Sequence, residues 1–244
     1  MKRILVILFV LFLMFPLVHA ETIKVSGTDL SIDLDEDIWV VFTRENISNE
    51  ELLNEYDLSY DYINDFFIKS NSYMDAISFW DEKNINTLEL FVIMTENKSL
   101  TNLNLLEESD IDSLAIELKK SKPIAVDTYD IYDNNNSKYI HYSYEDKGLF
   151  LEEYFTIINN KNYVVKFQSS IEYDDEMKQV VKDIMDNVVI DFDISGEDKV
   201  KLDNSKKESI WISALKGALI GGVAGGLASI VYSFVFKKKK SKSN

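Results

Sequence analysis

The sequence predicts an α+β domain, a mainly antiparallel sheet with helices packed on it, followed by one C-terminal transmembrane helix. Three observations carry this reading. Between Ala125 and Gln168, four strand-like runs follow one another with only short polar turns between them, which suits hairpins and leaves no room for crossover helices. Next, Met177, Val180, Val181, Ile184 and Met185 fall at the i, i+3, i+4, i+7, i+8 spacing of a helix lying on a sheet. Finally, Gly217 to Phe236 is uncharged, and twenty residues at about 1.5 Å each span roughly the 30 Å of a bilayer's hydrocarbon core.

The elements are expected in this order. Residues 1–20 form a cleaved export signal, with Lys2 and Arg3 before the apolar run Ile4 to Phe15 and small residues at Val18-His19-Ala20. Residues 21–194 form the extracytoplasmic domain. Thr22 to Val25 and Leu30 to Leu34 open it as short strands, followed by the stronger β run Ile38 to Phe42. Ser48 with Glu51 reads as a capping box opening a helix that carries Leu52, Leu53 and Tyr56. Ile63, Phe66 and Phe67 mark a second helix, Met74 to Trp80 a strand, and Thr87 to Thr95 a buried strand. Ile111, Leu114, Ala115 and Leu118 form a helical stripe between Ser109 and Lys120.

The four serial strands are Ala125 to Tyr132, Lys138 to Tyr144, Phe150 to Ile158 and Asn162 to Gln168. The helix Glu172 to Asn187 and a strand Val188 to Phe192 close the domain. Residues 195–209 read as a polar linker, 210–236 as the transmembrane region and 237–244 as a basic tail. The lysines from Lys237 place that tail in the cytoplasm, with the N-terminal domain outside.

Composition excludes several function classes. The span Glu21 to Glu208 holds 18 basic and 42 acidic residues, a net charge of −24 that repels phosphates, so no nucleic acid is expected as a partner. There is no cysteine, which removes disulfides, thiolate nucleophiles and cysteine-bound zinc. His141 is the one imidazole left after signal cleavage, so two-histidine metal sites within one chain are ruled out. Outside the anchor only Gly27, Gly148 and Gly196 remain, too few for a phosphate-cradling loop or a nucleophile elbow. Asn46-Ile47-Ser48, Asn97-Lys98-Ser99 and Asn135-Asn136-Ser137 read as chance matches to the glycosylation pattern in an Asn-rich chain.

Three segments together resemble the PsbP-like family of αβα sandwiches. They are Ser31-Ile32-Asp33-Leu34 leading into Trp39, the hairpin from Tyr154-Phe155-Thr156-Ile157-Ile158 to Tyr163-Val164-Val165-Lys166-Phe167, and the closing helix and strand ending in Phe192. The resemblance covers roughly Ile23 to Phe192, in element order and hydrophobic pattern. It implies an αβα sandwich and a non-enzymatic binding or assembly role, because similar proteins are extrinsic subunits of membrane complexes or partner-binding proteins. No functional residue carries over from it.

The candidate sites are few. Gly217, Gly221, Gly225 and Ser229 lie four apart on one face of the anchor, beside Ala214, Ala218, Gly222 and Gly226. Small residues in that register let a second helix approach closely. Asp191-Phe192-Asp193-Ile194-Ser195-Gly196 resembles half of a calcium loop, but Leu202 stands where the bidentate glutamate belongs. Asp33, Asp35, Glu36 and Asp37 form a denser carboxylate cluster before Trp39 that reads as a solvated acidic turn, with weak calcium or magnesium binding as the alternative. Glu152 and Glu153 point to opposite faces of a strand and cannot pair, and Asp174-Asp175-Glu176 suits a helix N-terminus. His141 shares a strand face with Tyr139 and Ser143 and needs an orienting carboxylate to be catalytic. The tyrosines between Tyr129 and Tyr163 read as sheet packing before partner contact.

No catalytic, cofactor-binding or metal residue is therefore expected. The expected function is a membrane-anchored binding or accessory subunit of a membrane-associated assembly. Its partners would be the lipid bilayer and, through the glycine face, itself or another membrane protein. The alternatives are a tethered enzyme working on an envelope substrate with carboxylates, and a sensor of divalent cations.

Overall fold

The computed structural model describes residues 20–192, apart from 36, 56–57, 82–85, 101, 123–125 and 127. The expected signal up to residue 19, the linker, the transmembrane region with Gly217, Gly221, Gly225 and Ser229, and the basic tail therefore lie outside the described residues, while Ala20, the expected last residue of the signal, begins the first strand. Among those described, no helix is long and apolar enough to cross a membrane.

The chain runs β1 (Ala20–Lys24), β2 (Leu30–Asp35), β3 (Trp39–Thr43), α1 (Glu50–Glu55), α2 (Tyr60–Ser70), β4 (Ser72–Asp81), β5 (Asn86–Glu96), α3 (Glu108–Ser121), β6 (Asp130–Asp133), β7 (Lys138–Asp146), β8 (Leu149–Ile158), β9 (Lys161–Ser169), α4 (Asp175–Asp186) and β10 (Val189–Ile190). A seven-stranded antiparallel sheet in the order β3-β4-β5-β9-β8-β7-β6 forms the middle layer. The small sheet β1-β2-β10 and α4 cover one face, and the other carries α1, α2 and α3.

Both faces of the large sheet are buried, which explains why β5 reads as a continuous apolar run. Its Leu88, Leu90 and Val92 join the core under the small sheet and α4, while Phe91 and Ile93 join the core under α3. The two stripes read from sequence do the covering. Met177, Val181, Ile184 and Met185 of α4 are buried on the first face, and Ile111, Leu114, Ala115 and Leu118 of α3 on the second. A third cluster, around Phe42, Leu53, Ile63, Phe67 and Ile77, ties α1 and α2 to β3 and β4.

The hairpins form as the turns predict. Lys147 and Gly148 join β7 to β8, and Asn159 and Asn160 join β8 to β9, each pair with both φ values positive. That geometry belongs to the two-residue turns whose twist matches the flanking strands.

The opening strands β1 and β2 form with β10 a small sheet of their own. Three expectations need correction. The closing strand covers only Val189 and Ile190: the Val188 C=O before it is taken by Asn134 Nδ2, and the Asp191 C=O after it by Asn159 Nδ2. The first of the four serial strands is also shorter, Asp130–Asp133. Finally, Asn49 caps α1 in place of Ser48, its Oδ1 accepting from the Glu51 and Leu52 N–H groups at 2.9 and 3.3 Å.

Candidate functional site

A crevice of about 550 Å³ opens between β1 and β3. It is lined by Glu21 to Lys24 on one side and by Trp39, Val40, Val41 and Thr43 on the other, with Glu45, Asn46 and Leu52 at its end. Its volume is in the range of ligand pockets. The order of the strands explains why it is there. β1 is the outer strand of the small sheet and β3 the outer strand of the large one. The chain passes from β2 to β3 through a short turn, which brings these two sheet edges into one opening. Trp39 is buried and joins the core; Ile23 and Val41 pack against that core partly exposed.

Two polar arrays lie elsewhere. On the face under α3, the β-register brings Glu153 of β8 opposite Lys166 of β9, and Lys166 opposite Phe91 of β5. Glu153, Lys166, Glu89 and Asp75 are all buried. Lys122, just past the end of α3, forms an ion pair with Glu153, and Tyr144 Oη donates to the same carboxylate at 2.8 Å. Burial alone would raise the Glu153 pKa. Lys122, Lys166 and the Tyr144 hydroxyl outweigh it and hold the carboxyl below its usual range. Burial likewise pulls the Lys166 ammonium down.

On the other face His141 sits between two carboxylates. Asp130 on β6 is 3.0 Å from Nδ1, Glu152 on β8 is 2.5 Å from Nε2, and the Tyr154 ring stacks on the imidazole at 4.3 Å. Ser143 Oγ donates to the second oxygen end of Glu152 at 2.9 Å. Burial opposes charge on His141, but Glu152 and then Asp130 prevail and raise its pKa above the ordinary value. The carboxylate that sequence could not locate is thus present twice. Because the two acids hold different ring nitrogens, they face away from each other, and Ser143 bonds a carboxylate instead of the histidine. The two carboxylates favour the protonated form of a ring stacked on Tyr154, and Ser143 is bonded to Glu152 and not to the imidazole.

The remaining sequence candidates disperse. Glu152 and Glu153 fall on opposite faces of β8, as their adjacency requires, and each joins a separate array. Asp174 caps α4, accepting from the Met177 N–H at 2.8 Å. Asp33 accepts from Thr22 Oγ1 at 2.6 Å and Asp35 from the Asp37 N–H at 2.9 Å; Glu36 lies outside the described residues. Asp193 to Gly196 of the calcium-loop match also lie outside them. Among the described residues, no group of three histidine, aspartate or glutamate side chains is placed to hold a metal ion. Tyr139, Tyr142, Tyr154 and Tyr163 are buried in the two cores, in keeping with sheet packing. Sequence reasoning missed the crevice, since an edge is a property of strand order and no local pattern encodes it.

No family model matches this chain, and no curated protein sequence does. Its fold is similar to the solution structure of cyanobacterial PsbP (CyanoP) from Synechocystis sp. PCC 6803, 10% identical, covering 72% of this chain and 95% of that one with a TM-score of 0.41. The similarity concerns the fold alone.

Proposed function

We propose that this chain is a membrane-held extracytoplasmic binding or accessory subunit of a membrane-associated assembly, without chemistry of its own. The observation that carries this reading is the crevice between β1 and β3, where two outer strands meet around one ligand-sized opening. Sheet edges are surfaces that natural proteins ordinarily cover or blunt, and an open one is a ready site for another chain. The acidic domain, the uncharged run Gly217 to Phe236 and the lysines after it support the membrane placement with the domain outside. The register Gly217, Gly221, Gly225, Ser229 supports association through the anchor.

The test is an affinity pull-down of the native chain in mild detergent beside two variants, Gly221→Ile/Gly225→Ile and Ile23→Glu/Val41→Glu. A discrete partner or self-associated species retained by the native chain and lost from a variant supports the subunit and identifies the surface that holds it. If the native chain retains neither, the subunit reading fails.

A further inference from the structure

We infer that the crevice is a strand-addition site that takes an extended, lysine- or arginine-bearing peptide segment of a partner protein, an inference resting on the binding role proposed above. The argument begins with which residues line the opening. Successive side chains of a strand point to opposite faces, so four consecutive residues of β1, Glu21 to Lys24, can line one opening only if the strand's edge looks into it. The same holds for Trp39, Val40 and Val41 of β3. What the crevice presents is therefore main chain, from two sheets at once. The ligand that satisfies a row of main-chain donors and acceptors is another extended main chain.

Asn46 shows where pairing can occur. Its Nδ2 donates to the Val41 C=O at 2.8 Å and its Oδ1 accepts the Thr43 N–H at 2.7 Å. The Thr43 C=O accepts from the Asn46 and Ile47 N–H groups at 3.2 and 3.1 Å. One amide side chain thus does for the end of β3 what a neighbouring strand would do. In an antiparallel edge strand alternate residues direct both main-chain groups outward, so Trp39 and Val41 share the outward direction of Thr43. The Val41 N–H and the Trp39 main chain lie on the stretch that Asn46 does not cover. The edge is closed at one end and open at the other.

Charge selects the segment. The lining carries the Glu21 and Glu45 carboxylates against the Lys24 ammonium. Glu45 is held by Ser26 Oγ, which donates to it at 2.6 Å. The nearby Arg44 is turned away: its Nε donates to the Ser72 C=O at 3.0 Å, and its guanidinium lies 3.8 Å over the Tyr73 ring. The excess of acid in the lining sits within a domain of net charge −24, a field that draws a basic segment and repels a second copy of the same domain. Ile23, Val41 and Leu52 give alternate apolar side chains of such a segment a partly buried surface to rest on.

The test uses the full chain in detergent and three capped peptides: alternating lysine and valine, the same peptide N-methylated at every second residue, and alternating glutamate and valine. Binding is followed by calorimetry and by hydrogen exchange of the Val41 amide. The inference expects the lysine peptide to bind and protect that amide, the N-methylated and glutamate peptides to bind at least about tenfold more weakly, and Val41→Pro to weaken binding similarly; edge strands tolerate proline. Unaltered circular dichroism of Val41→Pro separates lost pairing from lost fold. Equal binding of the N-methylated peptide, or full binding by a folded Val41→Pro variant, overturns strand addition in favour of charge contact alone. If the lysine peptide does not bind while the pull-down still retains a partner, strand addition falls and the subunit role stands; if both are negative, both fall. Protection of Val41 by concentration-dependent dimerisation without peptide makes a second copy the occupant and overturns the peptide assignment.

Discussion

Asn134, in the turn between β6 and β7, fastens the end of α4: its Nδ2 donates to the Met185 C=O and to the Val188 C=O, each at 2.8 Å. Its Oδ1 meanwhile accepts the Asn136 and Ser137 N–H groups at 3.1 and 2.9 Å. One buried amide therefore satisfies its own turn and ties it to the Met185 C=O in the last turn of α4 and to the Val188 C=O just beyond the cap. Asn134→Ala strands these groups in a buried setting, where each unmet hydrogen bond costs about 1–3 kcal/mol. A loss of about 2–4 kcal/mol in total is expected, with a clear fall in the melting temperature. A surface-sized loss of about 0.5 kcal/mol or less is inconsistent with this role.

The contrast between Asn134 and its neighbours explains how much could be read in advance. The turn itself was legible, because Asn134-Asn135-Asn136 sits between two strand patterns and Asn135 takes the positive φ that asparagine tolerates. So were the stripes of α3 and α4, since helical period survives in any context. The reach of Asn134 to residues 51 and 54 positions away has no local signature. The same limit hid the crevice, which exists because β1 and β3 are outermost in different sheets. It also hid the carboxylates around His141, since Asp130 and Glu152 meet it only through the β6-β7-β8 register.

Glu153 and Lys122 form a buried ion pair inside the α3 core, with Lys166 close by on β9. Glu153→Gln leaves two buried ammonium groups without that carboxylate and should destabilise the chain by about 3–5 kcal/mol. The double variant Glu153→Gln/Lys122→Met removes one of those cations and should recover part of the loss. Denaturant midpoints of the native chain, both single variants and the double variant measure the coupling. Additive losses in that cycle rule out a working pair. In acid, the depressed pKa of Glu153 gives stability that is present above the unfolded carboxyl value and is lost as pH falls through the folded one.

Asn46 shields the end of β3 as a substitute strand, so its removal has two separable consequences. Asn46→Ala loses two hydrogen bonds to half-buried main chain, a cost of about 1–2 kcal/mol. It also lengthens the open edge from Val41 to Thr43, which favours pairing with other chains. A lower melting temperature together with a greater tendency to associate on size exclusion is expected. Asn46→Asp retains the acceptor for the Thr43 N–H and loses the donor to the Val41 C=O, and it should fall between the two. If Asn46→Ala lowers stability but leaves association unchanged, its side chain is a turn brace and no edge guard.

His141 makes stability depend on pH with a definite sign. Its folded pKa lies above the ordinary 6.5, because Glu152 and Asp130 overcome the effect of burial. Around the ring stand Asp130 from β6 and Glu152 and Tyr154 from β8; Tyr132 packs edge-on to Tyr154 and is bonded to Asp186 of α4. The folded state thus binds the proton more tightly than the unfolded one. This contribution is fully present below the unfolded value of about 6.5 and is lost as pH rises through the folded value. Above that point Asp130 and Glu152 flank a neutral ring, and the link from β6 through β7 to β8 weakens. Denaturant midpoints measured from about pH 5.5 to 9 should fall for the native chain and fall less for His141→Gln, since other groups are common to both. Identical slopes in the two chains would show that the imidazole carries no proton between these carboxylates.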